Sequence, residues 1–480
     1  AFILAGGLIL HGCNGIFDDL AINPNQPSMG AYFTSPSAVN DAVMTMYGYM
    51  STQRCLGASG SKTTIIRSDE ASSNSDYGKP GMFGADLNAS YYTIEQPYTL
   101  MYTTASQASY IIETAPSVDF SGNEELRNAY MGEAYFWRAF AHYYLLINFR
   151  NISPIRQMPR NGDDYVRPLE KPAAVWDFIQ EDLAHAKELL PVKGYWDSKN
   201  AGRVTKASAA ALLGKAYLYR SGIEQYYGED KTTFYSEAAK EFGDVIDGKY
   251  GTYDLTKNYA DNFDVAHENN EESILEFQFL GDVDNAGFNP GLATSGLAFD
   301  SRGLMLPGAG VGYEGVVHNW LYNAFVNSID KDGYTDIRMF STMIFNDLDA
   351  SIHLRNDAGG NPVRLEGPSG YKWEELYPAK NGKEGFATVS NPLAHSFKAG
   401  IRKGIDCSMP TQTEADGTPK LVGVGAGVKE YVYNQPRAHG VNWRYIRYAD
   451  VLMMYAEAVV SGGTQASNMT PLQAVNKVRG

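Results

Sequence analysis

Cysteine is scarce in this chain, with three residues in 480. Three cannot make a disulfide framework, so packing must hold the fold together. Cys55 and Cys407 lie far apart, with no Cys-x-x-Cys partner and no Cys/His set beside them, which removes the spacing a metal site would need. Positive charge is also short: 40 Lys and Arg stand against 55 Asp and Glu, a net charge of −15 with pI near 5.0. A nucleic-acid binder concentrates Lys and Arg on one face, so this balance argues against nucleic acid as a partner. Long apolar runs are missing too. The stretch from Phe2 to Leu10 is too short to span a bilayer, and no other stretch exceeds it in length and apolarity.

Catalytic signatures are equally thin. Gly243-x4-Gly248-Lys249 has the spacing of a phosphate loop, but Tyr250 stands where Ser or Thr is required. Ser59-Gly60-Ser61-Lys62 matches a Ser-x-x-Lys pattern without its partner motifs, and His267-Glu268-x-x-Glu271 lacks the second histidine of a zinc protease pair. In Asp330-Lys331-Asp332-Gly333 the bidentate position of a calcium loop falls on Met339, which cannot ligate a hard cation. The glycine-rich segment 423–429 is neither introduced by a clear strand nor followed by a helix. None of the 55 carboxylates is singled out as half of a glycosidase pair. The expectation is a protein without catalysis, cofactor or metal.

What is present begins with helical periodicity. Residues 36–56 carry Val39, Val43, Met46 and Met50 on one stripe, and 98–115 resumes the pattern until Pro116. Helices are expected over about 124–149 and over 171–191. The latter has Pro172 near its start, Pro191 as its stop, and Val175, Phe178, Ile179, Leu183, Ala186 and Leu190 in line. Trp176 on that helix reads as scaffold. Residues 202–222 and 234–248 form a pair in which Leu213-Gly214-Lys215-Ala216-Tyr217 and Ala238 with Phe242 fit the two helices of a tetratricopeptide unit. Small Gly214 and Ala238 let the backbones approach, while Tyr217 and Phe242 fill the space alongside. Tyr448 to Ala458 and Leu472 to Val475 suggest a further pair, and the chain stops at Gly480 inside it, as though severed.

The stretch 132–149, GEAYFWRAFAHYYLLINF, holds seven aromatics in eighteen residues. Phe136, Phe140, Tyr143 and Ile147 share one side of a helix, and Trp137, Ala141 and Tyr144 a neighbouring side. Mainly Glu133, Arg138 and His142 interrupt this cover. A helix apolar over most of its circumference is a buried strut, not an aromatic shelf for a ligand.

Between these helices the character changes. Residues 57–97 are dense in Gly, Ser, Asn and Asp, and 250–440 alternates such segments with a short strand at 273–279 and a helical piece at about 316–328. Long loops carried on a rigid frame are where recognition normally sits. The expected fold is mainly α, a tetratricopeptide-like helical-repeat scaffold (36–56, 98–248 and 441–480) with a loop-rich, irregular subdomain carrying short strands (57–97 and 250–440). Residues 14–480 would form one domain behind a partial signal peptide at 1–13. There Leu10-His11-Gly12-Cys13 resembles a bacterial lipobox, with Cys13 as the lipidated residue and His11 atypical. Asp18-Asp19 suits an acidic surface-sorting signal.

Several of these segments together resemble the SusD/RagB family of surface lipoproteins. Residues 132–144 are similar to its G-E-A-x-F-x-R-A-F-x-Y-F helix, and 179–186 to its I-x-x-D-L-x-x-A helix. Gly202-Arg203-Val204-Thr205-Lys206 resembles its G-R-x-T-K segment, Asp336-Ile337-Arg338 its D-x-R element, and 446–458 its I-R-Y-A-D-V-L-L-M-Y-A-E-A signature. The resemblance implies a protein tethered by lipid to the outer face of an outer membrane. Such a protein captures oligosaccharides, or in some members peptides, for a SusC-like TonB-dependent transporter.

It also carries ligand contacts onto loop residues: Asn74, Tyr77, Phe83, Asn88, Tyr91 and Tyr92 from the first loop region, and Phe288, Tyr313 and Trp320 from the second. Aromatic faces would stack on sugar rings while amides bond hydroxyl pairs. Trp373 is a further candidate. The alternatives are a peptide or glycopeptide binder of the same fold, a surface glycoside hydrolase, and a tetratricopeptide adaptor inside the cell.

Overall fold

The computed structural model describes residues 33–52, 54–57, 64, 67–72, 89–158, 166–228, 231–263, 265–279, 316–336, 338–345, 353, 399–401, 421–423, 429–431 and 441–479. Six helices carry the first half of the scaffold: α1 (Pro36–Ser51), α2 (Tyr92–Thr114), α3 (Glu124–Phe149), α4 (Pro172–Leu189), α5 (Lys206–Tyr227) and α6 (Tyr235–Ile246). Each packs chiefly on its neighbour in sequence along α2, α3, α4, α5 and α6, and α9 (Tyr448–Val460) then packs on α6 and α10 (Pro471–Arg479) on α9. This is the stacking expected of helical repeats. Among the described residues no helix is long and apolar enough to cross a membrane.

Local chemistry accounts for the boundaries. Asn123 caps α3 by accepting from the Leu126 amide, and Glu124 with Glu125 places negative charge at the helix's positive end. In α5 a capping box joins Thr205 and Ser208, and Gly228 ends the helix in the left-handed conformation. One boundary differs from the sequence expectation. Helix α2 starts at Tyr92, not at 98, and runs through Pro97. A proline so near the helix start removes one backbone bond, and the first turn still closes through the Ile94 and Glu95 amides on the Tyr91 carbonyl.

The helix α3 is the buried strut that its composition implies. Phe136, Trp137, Phe140 and Tyr143 are at most 1% exposed. Trp137 meets Tyr47 of α1 edge-on at 4.8 Å, Phe140 meets Phe277 and Tyr445 at 5.6 and 5.3 Å, and Tyr143 meets Trp176 of α4 at 5.9 Å. Trp176 is scaffold, donating its indole N–H to Glu224 of α5. Close approach is bought with small residues: a Cβ on Gly132 would sit 2.9 Å from Leu190, and one on Gly214 would sit 2.7 Å from the Phe242 ring. Gly243, the supposed phosphate-loop glycine, lies inside α6 against the Ala466 carbonyl.

The three polar interruptions of α3 are buried as well, each with a partner. Glu133 receives Arg203 in a two-bond fork of 2.9 and 2.5 Å and the Tyr47 hydroxyl at 2.6 Å. Arg138 forks onto Asp182 of α4 with two bonds of 2.7 Å, and it also donates to the Arg156 carbonyl. His142 accepts the Ile155 amide at Nε2 and contacts the Arg138 carbonyl through Nδ1, an arrangement that calls for the neutral ring with the proton on Nδ1. Burial holds its pKa down to about 3.

The strand assignment at 273–279 holds as β2 (Ser273–Phe277), which pairs antiparallel with β8 (Trp443–Arg447) through an irregular register. Residues 441–447 are thus not part of a helix, although the sequence grouped them with the helical scaffold. Trp443, Tyr445 and Arg447 alternate in burial with Arg444 and Ile446, the two-residue period of a strand. The remaining strands β1 (Ala71–Ser72), β3 (Val316–Val317), β4 (Met343–Phe345) and β5 (Ala399–Ile401) form one sheet in the order β1-β3-β5-β4. Strands β6 (Leu421–Gly423) and β7 (Lys429–Tyr431) pair separately. Helices α7 (Asn319–Asn327) and α8 (Arg338–Thr342) complete the irregular part. Its own small core joins Val317, Tyr322, Val326, Met339 and Met343.

Removing one member of a buried ion pair strands the other charge, so Glu133→Leu should cost about 3–5 kcal/mol in chemical denaturation. An effect below about 1 kcal/mol would show that the pair carries little of the scaffold. The sign for His142 follows from its depressed value. The unfolded chain takes up a proton below about pH 6.5 while the folded ring does not, so stability present at neutral pH is lost as pH falls toward 3. Over that window His142→Gln should melt with a flatter pH dependence than the parent, by up to about 1.4 kcal/mol per pH unit. Parallel curves would refute it.

Candidate functional site

Two of the loop regions singled out by sequence meet in space. Ala71 and Ser72 pair antiparallel with Val317 and Val316. The His318 amide extends that pairing by donating to the Glu70 carbonyl at 2.9 Å. Trp320, the second residue of α7, stands 50% exposed and donates its indole N–H to the Asp69 carbonyl at 2.6 Å. This bond fixes one edge of the ring against the chain and leaves much of the rest to solvent. A large indole held in one orientation loses little entropy on meeting a ligand.

Trp320 is anchored from below. Its helix turns Tyr322 and Val326 into the small core with Val317 and Met343. Beyond α7, Asp336 and Arg338 form a fork through Nε and Nη2, the D-x-R element. Burial alone would lift the Asp336 carboxyl, but Arg338 more than offsets it and holds the group below its usual range. The pair thus supports a chain reversal with fixed charges, and nothing in its geometry singles it out for catalysis.

A second anchor holds the loops that leave β2 and β8. Asn442 receives the Phe279 amide at 2.7 Å on Oδ1 and donates through Nδ2 to Glu276 and Gln278, each at 2.9 Å. Its own amide donates to Glu268. Glu276 also accepts from the Ser273 hydroxyl and faces Arg444 at 3.4 Å, with both of those charged side chains buried. Nothing in the sequence marked Asn442, because a lone amide between loop and strand has no periodicity to betray it. Its effect is to clamp the points where segments 280–315 and 432–440 join the scaffold.

The other sequence candidates stand as follows. Tyr91 is half-buried immediately before α2, and Tyr92 is the first residue of that helix, with its side chain outside the described set. Asn74, Tyr77, Phe83, Asn88, Phe288, Tyr313 and Trp373 lie outside the described residues, as do Cys13 and the sequence around it. Of the binding candidates, the structure therefore locates the side chains of Tyr91 and Trp320. Cys55 is buried and free, with burial pushing its thiol up to about 12. An inert structural cysteine behaves this way.

Comparison with known proteins adds what the geometry alone does not name. The pattern of a SusD-like family described as starch-binding associating with outer membrane matches residues 22–218, and that of the SusD family matches 410–480. The two matches together span more than half of the chain. The chain belongs to the SusD/RagB family. It is similar to a SusD-like protein of Bacteroides ovatus, 26% identical over 282 residues, 58% of this chain and 49% of that protein. The chain spans about half the length of the curated relatives it matches. A solved SusD superfamily protein from Bacteroides vulgatus shares the fold with a TM-score of 0.65 at 20% identity, covering 93% of this chain and 80% of that one. A laminarin-binding SusD-like protein does so with 0.61 at 20%, covering 93% and 85%.

Within this SusD-family fold, the motif residues are structural. Glu133 of the aromatic helix answers Arg203 of the G-R-V-T-K segment, and Arg138 answers Asp182 of the I-x-x-D-L helix. Gly202, at φ +82°, sits in a left-handed turn that presents Arg203, and a Cβ there would overlap the Gln278 side chain.

If the Asp69 carbonyl holds the ring of Trp320, Trp320→Phe should leave the fold intact and loosen this junction. Hydrogen exchange of the His318 amide, which is bonded to Glu70, should quicken severalfold, as loss of about 1 kcal/mol implies. Unchanged exchange would show that the indole bond adds nothing.

Proposed function

We propose that this protein is a non-catalytic, surface-exposed glycan-binding lipoprotein. It would be anchored in the outer membrane through Cys13 and deliver oligosaccharides to a SusC-like TonB-dependent transporter. The observation that carries the reading is the exposed Trp320 ring, bonded to Asp69 where two loop regions pair. That geometry suits stacking on the apolar face of a sugar ring. Family membership supports it, as does the fold shared with a laminarin-binding protein. The remaining contacts are proposed to come from Asn74, Tyr77, Phe83, Asn88, Tyr91, Tyr92, Phe288 and Tyr313, whose aromatic rings and amides are the side chains a saccharide needs.

The test is calorimetric titration of the purified protein against panels of neutral oligosaccharides and of peptides. At least one glycan should bind, and Trp320→Ala should weaken it by about 1–3 kcal/mol, tenfold or more in Kd. Binding of peptides alone would replace the glycan reading by the peptide one. New reducing ends released from the glycans would overturn the non-catalytic reading.

A further inference from the structure

The end of the scaffold where α3 and α5 stop carries features that packing does not require. Helix α5 runs on through Gly222 to Tyr227. A glycine inside a helix weakens it relative to alanine. Here no close approach asks for one, because a Cβ on Gly222 would meet nothing within 4 Å. One turn later on the same face stands Tyr226, 84% exposed. Its neighbour Tyr227 is 56% exposed and meets it edge-on, with ring centres 5.2 Å apart and planes at 86°. The two rings make a right-angled corner. Helical side chains lean toward the preceding turn, so the bare position at 222 leaves the approach to Tyr226 clear.

Tyr227 is also held in place. The Arg150 guanidinium lies 4.3 Å from the centre of its ring. Arg150 is fixed in turn by two bonds of 2.7 Å to the buried Glu224, which also accepts the Trp176 indole N–H. Its backbone stands at φ +63° and ψ −67°, in a three-residue turn closed by the Asn151 amide on the Phe149 carbonyl at 2.7 Å. Such a turn is rare and strained. A glycine that weakens its helix and a strained arginine thus meet beneath two exposed rings, and strain of this kind gathers at ligand clamps.

Area and charge decide what the corner fits. A tyrosine presents about 150–250 Å², so at these exposures the pair offers roughly 200–350 Å². A stable protein partner, or a second copy of this chain, takes about 800 Å² on each side. The flanking Gln225 and Gly228 are exposed and add no apolar surface. A sugar ring is small enough to lie with its apolar face on one phenol ring and its edge toward the other. The Arg150 charge is already matched by Glu224, so a charged sugar would find no free counter-charge there. Two of the five guanidinium N–H donors serve Glu224, which leaves others for a sugar hydroxyl.

We infer that the corner of Tyr226 and Tyr227, backed by Arg150 and opened by Gly222, is a second binding site for a neutral glycan chain. The corner follows from the geometry, and the glycan rests on the glycan-binding reading. It is built from elements other than those that hold Trp320. Side chains alone meet the ligand on a finished frame, so no backbone movement is needed.

Nitration with tetranitromethane, followed by peptide mapping in a mass spectrometer, reads the exposure of these rings. The probes are maltohexaose and laminarihexaose. At least one should slow nitration of Tyr226 and Tyr227, relative to Tyr219 on the same helix, along a saturation curve. The slowing should be about tenfold when the probe stands at about ten times its dissociation constant. Protection should persist in Trp320→Ala. Gly222→Leu puts a helix former in place of glycine, so it should melt no lower than the parent while protection falls severalfold. Loss of fold cannot give that combination. Protection that survives Gly222→Leu undiminished, or that disappears in Trp320→Ala, would overturn a separate site at the corner. A hexasaccharide that binds in calorimetry without protecting the rings would sink this inference and leave the loop site intact. Neither binding nor protection by both probes would sink this inference together with the glycan reading for these sugars.

Discussion

The two-bond fork between Arg203 and Glu133 is the contact on which the arrangement of the scaffold depends. It joins α3 to the turn that opens α5, across 70 residues of sequence. Tyr47 of α1 donates to the same carboxylate and accepts the Val204 amide, which draws a third segment to the same point. Arg203 also donates to Asn40 of α1 and lies 4.3 Å over the Trp196 ring. A charge pair removed from water stabilises only when its remaining donors and acceptors are met, and here they are met by side chains from three separate stretches. Geometry so demanding specifies which helices are neighbours, whereas the aromatic packing around it would tolerate several arrangements.

The same logic recurs along α3. Arg138 with Asp182 ties it to α4 one turn and a half further on, and His142 receives the Ile155 amide of the following loop. At its end Arg150 adopts φ +63°, a conformation that strains a residue bearing Cβ, and is held there by two bonds of 2.7 Å to the buried Glu224. The aromatic helix is thus pinned at four levels by polar groups spaced along an otherwise apolar rod. A frame so fixed lets long loops vary without disturbing their take-off points, which Asn442 clamps from the strand pair.

Much of this frame was legible in the sequence because apolar periodicity and small residues at close contacts have a local signature. Gly214 against Phe242 was readable from a repeat pattern, and α3 from its aromatics. The ion pairs were not. Glu133, Arg138 and His142 read as mere interruptions of an apolar surface, since their partners lie 70, 44 and 13 residues away and no spacing rule connects them. The strand β8 was hidden because Trp443 to Arg447 runs straight into the helix signature without a break, and only its pairing with Ser273 to Phe277 makes it a strand. Of the binding loops, the sequence indicated which regions carry aromatics and amides. It could not indicate that Ala71 pairs with Val317, because a two-residue strand pairing has no pattern of its own.

The central claim is that recognition belongs to the loops and rigidity to the helices. Hydrogen–deuterium exchange of the protein with and without a bound neutral oligosaccharide tests it most directly. The account predicts protection in peptides from 57–97 and 280–320, with α3 to α6 exchanging at the same rate in both states. Protection concentrated in α3 to α6, with those loops unchanged by a glycan that binds, would contradict it.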